Sequence, residues 1–148
     1  MPSPSTLART AWFAWTTFIV VLAVLPLGAI SAGQPPVWVS IVPFASIGQA
    51  LHRGLVWASF VSVVGNVAAF VPIGFLAPAG WERWRAWMAT LALGVGISMG
   101  IELSQLAISI AIGVPYRHAD VDDVILNGLG TAIGYGTWLV LRRVAVRS

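Results

Sequence analysis

The sequence predicts an all-α fold, a polytopic membrane bundle of four transmembrane helices in a single domain spanning residues 1–148. Three observations predict it. The chain is 58% hydrophobic and 9% charged, with a mean hydropathy of +0.88, whereas a soluble domain carries ~25% charged residues. Four runs reach the ~20 apolar residues that a spanning helix needs. The eight basic residues are all arginines, and they sit in ones and twos between those runs. The high pI of about 10.7 therefore does not indicate a nucleic-acid partner, because no basic stripe forms. The chain has no cysteine, which excludes disulfides, thiol catalysis and thiolate metal sites.

The first span is read over Ala11–Ile30, "AWFAWTTFIVVLAVLPLGAI". Ala29 and Ser31 offer a small-residue cleavage site, but the apolar run exceeds the ~7–15 residues of a signal peptide, so it is read as a retained span. The segment "SAGQPPVWVSIVPFASIGQALHRG" follows. Its prolines break any long helix, yet it carries Trp38, Val39, Ile41, Val42 and Phe44. That combination predicts an interfacial or re-entrant segment rather than another span. Spans two, three and four are read over roughly 54–77, 87–112 and 123–141.

Arginines set the orientation. With four spans, Arg9, Arg83, Arg85, Arg142, Arg143 and Arg147 share one side, and Arg53 and Arg117 share the other. The positive-inside rule then puts both termini in the cytoplasm. Trp81, Trp84 and Trp87 flank Arg83 and Arg85, as an interfacial aromatic belt requires. The stretch "YRHADVDDVILNGLG", with three of the chain's five acidic residues, accordingly faces outward.

Polar residues within the spans fall on stripes. Ser98, Glu102, Gln105 and Ser109 recur at helical spacing in span three; Ser59, Ser62 and Asn66 do so in span two; Asp120, Asp123, Asn127, Gly130 and Gly134 do so in span four. Polar groups in hydrocarbon face a bundle interior or a watery cavity, so the three stripes are expected to converge. At ~1.5 Å per residue, Asp123 is expected at the rim, Asn127 below it, Glu102 deeper and Asn66 near the midplane, with Arg117 over the mouth. Plainer roles exist for each. Asp120 and Asp123 can cap a helix N-terminus. Asn66 and Asn127 can bond between helices, and the Gly96/Gly100 and Gly130/Gly134 pairs can permit close packing. Asp122 lies off the stripe and reads as a surface charge, and His118 as a solvated loop residue. Glu102 is the acid set deep in a span, either paired, with Arg117 as its partner, or held protonated; it is the leading functional candidate.

"NVAAFVPIGFLAP" (66–78), "SMGIELSQL" (98–106), "RHADVDDVILNGLGTAIGY" (117–135) and "SIVPFASI" (40–47) resemble the VanZ-like membrane protein family, over a motif-bearing part of about 40–136. The resemblance marks Asn66, Phe70, Pro72, Gly74, Glu102, Gln105, Arg117, Asp120, Asp123, Asn127 and Gly130. The sequence has His118-Ala119 where the family tends to have Ser-Phe. The resemblance implies a small multi-pass protein of the bacterial cell (inner) membrane, and the family's namesake function is resistance to teicoplanin-type glycopeptides.

Three functions compete. The first is a non-enzymatic envelope protein that binds a lipid-linked precursor or glycopeptide through Asn66, Glu102, Gln105, Arg117, Asp120, Asp123 and Asn127. The second is a membrane enzyme acting on a lipid-linked envelope substrate, with Glu102, Asp120 and Asp123 as catalytic candidates, since two carboxylates in different surroundings can divide acid and base roles. The third is a polar core that only fixes helix register. No phosphate-binding loop, serine elbow or zinc spacing occurs, and His52 and His118 are too few for a typical zinc site. No metal or cofactor is expected, membrane lipids are the expected neighbours, and the oligomeric state is left open.

Overall fold

The computed structural model describes residues 3–25, 39–52, 57–113 and 119–147. Four long helices run up and down: α1 (Pro4–Val24), α3 (Trp57–Gly80), α4 (Trp87–Ile112) and α5 (Val121–Arg147). All four are long and apolar enough to cross a membrane. Between α1 and α3 lie a two-residue strand β1 (Val39–Ser40) and the short helix α2 (Ala45–His52). A 3-10 turn (Glu82–Trp84) links α3 to α4, and β2 (Ala119–Asp120) leads into α5.

Span three is found at the expected bounds. Span one begins seven residues earlier than expected, because the Ser3 hydroxyl accepts the Thr6 N–H at 3.2 Å and Pro4 occupies the first helical turn, where a proline costs no hydrogen bond. The expected end of that span, residues 26–30, lies outside the described residues. Span four begins at Val121 and continues to Arg147. α4 stops at Gly113, whose φ of 74° is the left-handed turn that glycine adopts without a Cβ clash.

Contacts fix the order of the bundle. α5 packs most extensively on α3, with α1 on the far side of α3 and α4 against α5. The Gly74, Gly130 and Gly134 positions let α3 and α5 meet backbone to backbone. A Cβ at Gly130 would overlap the Val67 carbonyl, one at Gly134 the Val71 carbonyl, and one at Gly74 the Thr131 carbonyl. The Thr131 side chain fills the space above Gly94. Gly96 and Gly100 differ from expectation: both are exposed, with open space where a side chain would go. Their spacing permits a close partner, but α5 packs on another face of α4.

One end of the bundle is aromatic and basic. Arg9 donates to the Gly80 carbonyl at 2.8 Å and lies over the Trp81 ring, capping the C-terminus of α3. Arg83 covers Trp84, and Arg142 covers Trp138. Tyr135 donates to the Arg85 carbonyl, so α5 passes the α3–α4 turn at that residue. The start of α1 and the end of α5 share this end.

The strand pair lies toward the other end. β1 and β2 are parallel, with Val39 opposite Ala119 and Ser40 opposite Asp120. Asp120 donates its backbone N–H to Glu102 Oε2, which fixes the pair at the level of Glu102. Fifteen residues of α4 separate Glu102 from Trp87, a rise of about 22 Å. Measured from the tryptophans, that distance is shorter than a ~30 Å hydrocarbon layer, as the interfacial or re-entrant reading of the segment requires. Ile41, Val42 and Phe44 are exposed there, as an apolar surroundings requires.

Candidate functional site

The α4 stripe is buried along its whole length: Ser98, Glu102, Gln105 and Ser109 all face the interior. Asn127 of α5 is buried as well, and Asn66 of α3 and Asp123 of α5 are half-buried. These faces enclose a chamber of about 380 Å³. Asn66, Glu102, Gln105, Asp123 and Asn127 line it, with Ser62 and Phe70 from α3 and Ile19 and Ala23 from α1. The sequence stripes therefore meet as expected.

Their depths do not follow expectation. Asn66 Nδ2 donates to Asp123 Oδ1, and Glu102 accepts from Asp120, so the acids and Asn66 occupy one layer instead of a descending series. The cause is the start of α5 beside Glu102, held there by β1–β2 pairing. Asp123 consequently stands in the chamber wall and not at a rim.

Each amide in the wall is positioned by a specific partner. Gln105 Nε2 donates to the Ala23 carbonyl at 3.0 Å, tying α4 to the end of α1. Asn127 Nδ2 donates to Ser98 Oγ at 2.9 Å. Among the described residues Asn127 Oδ1 has no partner, although the residue is only 4% exposed. Lower down, Trp15 Nε1 donates to the Ala69 carbonyl at 2.8 Å, next to the turn where Pro72 supplies no helical donor.

Asp120 stands apart from the other candidates. Its backbone holds Glu102, and its Oδ1 accepts the Asp122 N–H at 3.0 Å, the capping role that was one of its two readings. It lines an apolar groove outside the chamber, whose wall Glu102 shares. Arg117 and His118 lie outside the described residues. Glu102, Asp120, Asp122 and Asp123 also engage further groups. Among the described residues, no three His, Cys, Asp or Glu side chains converge as a metal cluster.

Asp122 is the residue that stripe reasoning missed. It is 1% exposed and not a surface charge. Its carboxylate accepts the Phe44 N–H and, at 3.2 Å, the Ile47 N–H. It thereby caps α2, holding Phe44 at a φ of 64°, a left-handed conformation that is costly for an aromatic residue. Non-helical backbone at membrane depth needs its N–H groups satisfied by protein, and Asp122 does this. The available signal was a helix start at Pro43-Phe44-Ala45 with no capping side chain just before it.

The three aspartates thus divide three tasks: Asp120 caps α5, Asp122 caps α2, and Asp123 holds Asn66 across the chamber. Chemically, the chamber offers carboxylate and amide groups to a polar ligand and apolar walls from α1 and α3. No curated protein and no solved structure matches the chain. The VanZ/LLP1 family model matches residues 10–142. That span takes in most of α1, the β1–α2 segment, the chamber and most of α5, so the four-helix membrane protein described here belongs to the VanZ/LLP1 family.

Proposed function

We propose that this protein binds a cell-envelope ligand, a lipid-linked precursor or a glycopeptide of the teicoplanin type, in the chamber between α1, α3, α4 and α5. The observation that carries the reading is Glu102. It is 8% exposed, deep in a span, and set in the wall of a chamber large enough for a polar head group. An acid at such depth is costly to maintain and marks a site. Asn66, Gln105, Asp123 and Asn127 share the same wall, and Arg117 is a member of the set by sequence. In this reading the protein resides in a bacterial inner membrane, the chamber opens outward, and both termini are cytoplasmic.

Glu102→Gln tests the site. It keeps shape and hydrogen bonding and removes the charge. The expected result is unchanged thermal stability in detergent with loss of ligand binding or of glycopeptide protection in cells. A structural pair with Arg117 predicts the opposite: a loss of ~3–5 kcal/mol, partly restored when Arg117→Gln is added. That outcome, or normal stability with normal function, removes Glu102 from the site. Orientation is read separately with an impermeant thiol reagent on intact cells. Cysteine at the exposed Ile112 is expected to label and cysteine at Glu82 to stay shielded; the reverse pattern turns the chamber toward the cytoplasm.

An enzymatic reading draws on one observation: Glu102 and Asp123 line the same chamber with different partners. Turnover of a lipid-linked substrate by purified protein would separate it from binding alone.

A further inference from the structure

Glu102 borders two cavities of opposite character. On its inner side is the polar chamber. On its outer side a groove of about 180 Å³ runs between α4 and the β1–β2 pair, lined by Ile41, Met99, Leu103, Val121 and Val124, with Glu102 and Asp120 at its polar margin. Met99, Leu103 and Ile41 are exposed at the level of the β1–β2 pair, and on a spanning helix such apolar side chains face hydrocarbon.

The chamber has a directional deficit as well. Among the described residues, each amide nitrogen in its wall gives one of its two N–H bonds to a partner: Asn66 to Asp123, Gln105 to the Ala23 carbonyl, Asn127 to Ser98. Among the same residues, buried Asn127 Oδ1 is an acceptor without a donor. Leaving such a group unsatisfied is costly, and its complement is a hydroxyl, amine or amide N–H.

We infer that the occupant is an amphiphile that reaches the site sideways from the membrane, with its hydrocarbon chain in the α4/β1–β2 groove and a hydroxyl- or amine-bearing head in the chamber, hydrogen-bonded to Asn127 Oδ1. This rests on the chamber being the ligand site and specifies what enters it. The groove supplies the apolar half because a chain lying on Met99 and Leu103 ends against Glu102, the residue common to both cavities. The head carries a donor because Asn127 Oδ1 is the buried acceptor left without one among the described residues. A phosphate head would bring negative charge beside the Glu102 and Asp123 carboxyl groups of the same wall.

Two probes with the same diazirine-bearing acyl chain test this in nanodiscs: a glycosyl diacylglycerol, whose head is rich in hydroxyls, and phosphatidic acid. After photolysis, labelled positions are mapped by peptide mass spectrometry. The glycolipid is expected to label Met99 and Leu103 several-fold more than Ile110, an exposed residue of the same helix, and several-fold more than phosphatidic acid does. Leu103→Trp is expected to fill the groove and remove that labelling at unchanged melting temperature. Asn127→Leu is expected to equalise the two heads. Equal labelling of Leu103 and Ile110 in the wild-type protein would overturn the groove. Equal labelling by both probes would overturn the donor-bearing head, and both results are read on wild-type protein, independent of any variant's folding. Groove labelling that persists with Glu102→Gln without functional loss would reject the chamber assignment while leaving the sideways path intact. Loss of function in that variant with no wild-type groove labelling would do the reverse.

Discussion

The α3–α5 interface changes character along its length. Toward the tryptophan end, from Gly130 onward, backbone meets backbone: Gly130 against Val67, Gly134 against Val71, Gly74 against Thr131. Toward the other end, from Asn127 outward, the same two helices enclose a cavity and meet through side chains, Asn66 with Asp123. Glycine in a helix is a poor choice by propensity, about 1 kcal/mol below alanine, and it recurs here where it removes bulk. Long polar side chains recur where space has been left. The dry half fixes the distance between the helices, and the hollow half uses that distance. Association of helices in lipid draws on packing and hydrogen bonds more than on the hydrophobic effect, so the cavity depends on tight packing next to it.

The comparison is most sharply broken in the dry half. Gly130→Leu places a branched side chain against the Val67 carbonyl and the Phe70 side chain, and overpacking of this kind costs about 3 kcal/mol. Thermal unfolding in detergent should show a large drop, and the proposed ligand binding should be lost with it. Gly100→Leu is the internal control; it faces open space and should leave the melting temperature nearly unchanged. Equal effects of the two substitutions would remove close packing as the basis of the interface.

Asp122→Ala comes next. It leaves the Phe44 and Ile47 N–H groups without their acceptor, at about 1–3 kcal/mol. The loss should concentrate in the re-entrant segment, read as faster amide exchange over residues 44–52 with little change in the glycine half. Uniform exchange changes through the bundle would mean that the segment is not a separate unit. The smallest effect is expected from Asn66→Ala, in the hollow half. Hydrogen bonds between membrane helices are worth about 1 kcal/mol or less, so stability should barely move while ligand affinity falls. A destabilisation approaching that of Gly130→Leu would show the polar layer to be part of the scaffold.

Periodicity made the helices legible, and it made the chamber wall legible too, because Ser98, Glu102, Gln105 and Ser109 can share a face only one way. It misjudged what periodicity does not encode. The depth of Asp123 was computed from the end of its own helix, yet the level of that end is set by Ser40 pairing with Asp120, eighty residues apart in sequence. Asp122 fell off the α5 stripe because its partner is a short segment and not another span. Gly96 and Gly100 carried the spacing of a packing motif but face open space, since spacing states what a surface permits and not what lies against it.

The Asp122 cap also bears on how the chain is built. Phe44 and Asp122 are 78 residues apart, and at ~5–20 residues per second of synthesis the donor waits about 4–16 s for its acceptor to be made. During that interval α1 and α3 can already lie in the membrane, while the N–H groups at the start of α2 have no carboxylate to receive them. The re-entrant segment therefore takes its final place only when α5 arrives, and a nascent chain halted before residue 122 should hold its first helices inserted with residues 39–52 still accessible to protease.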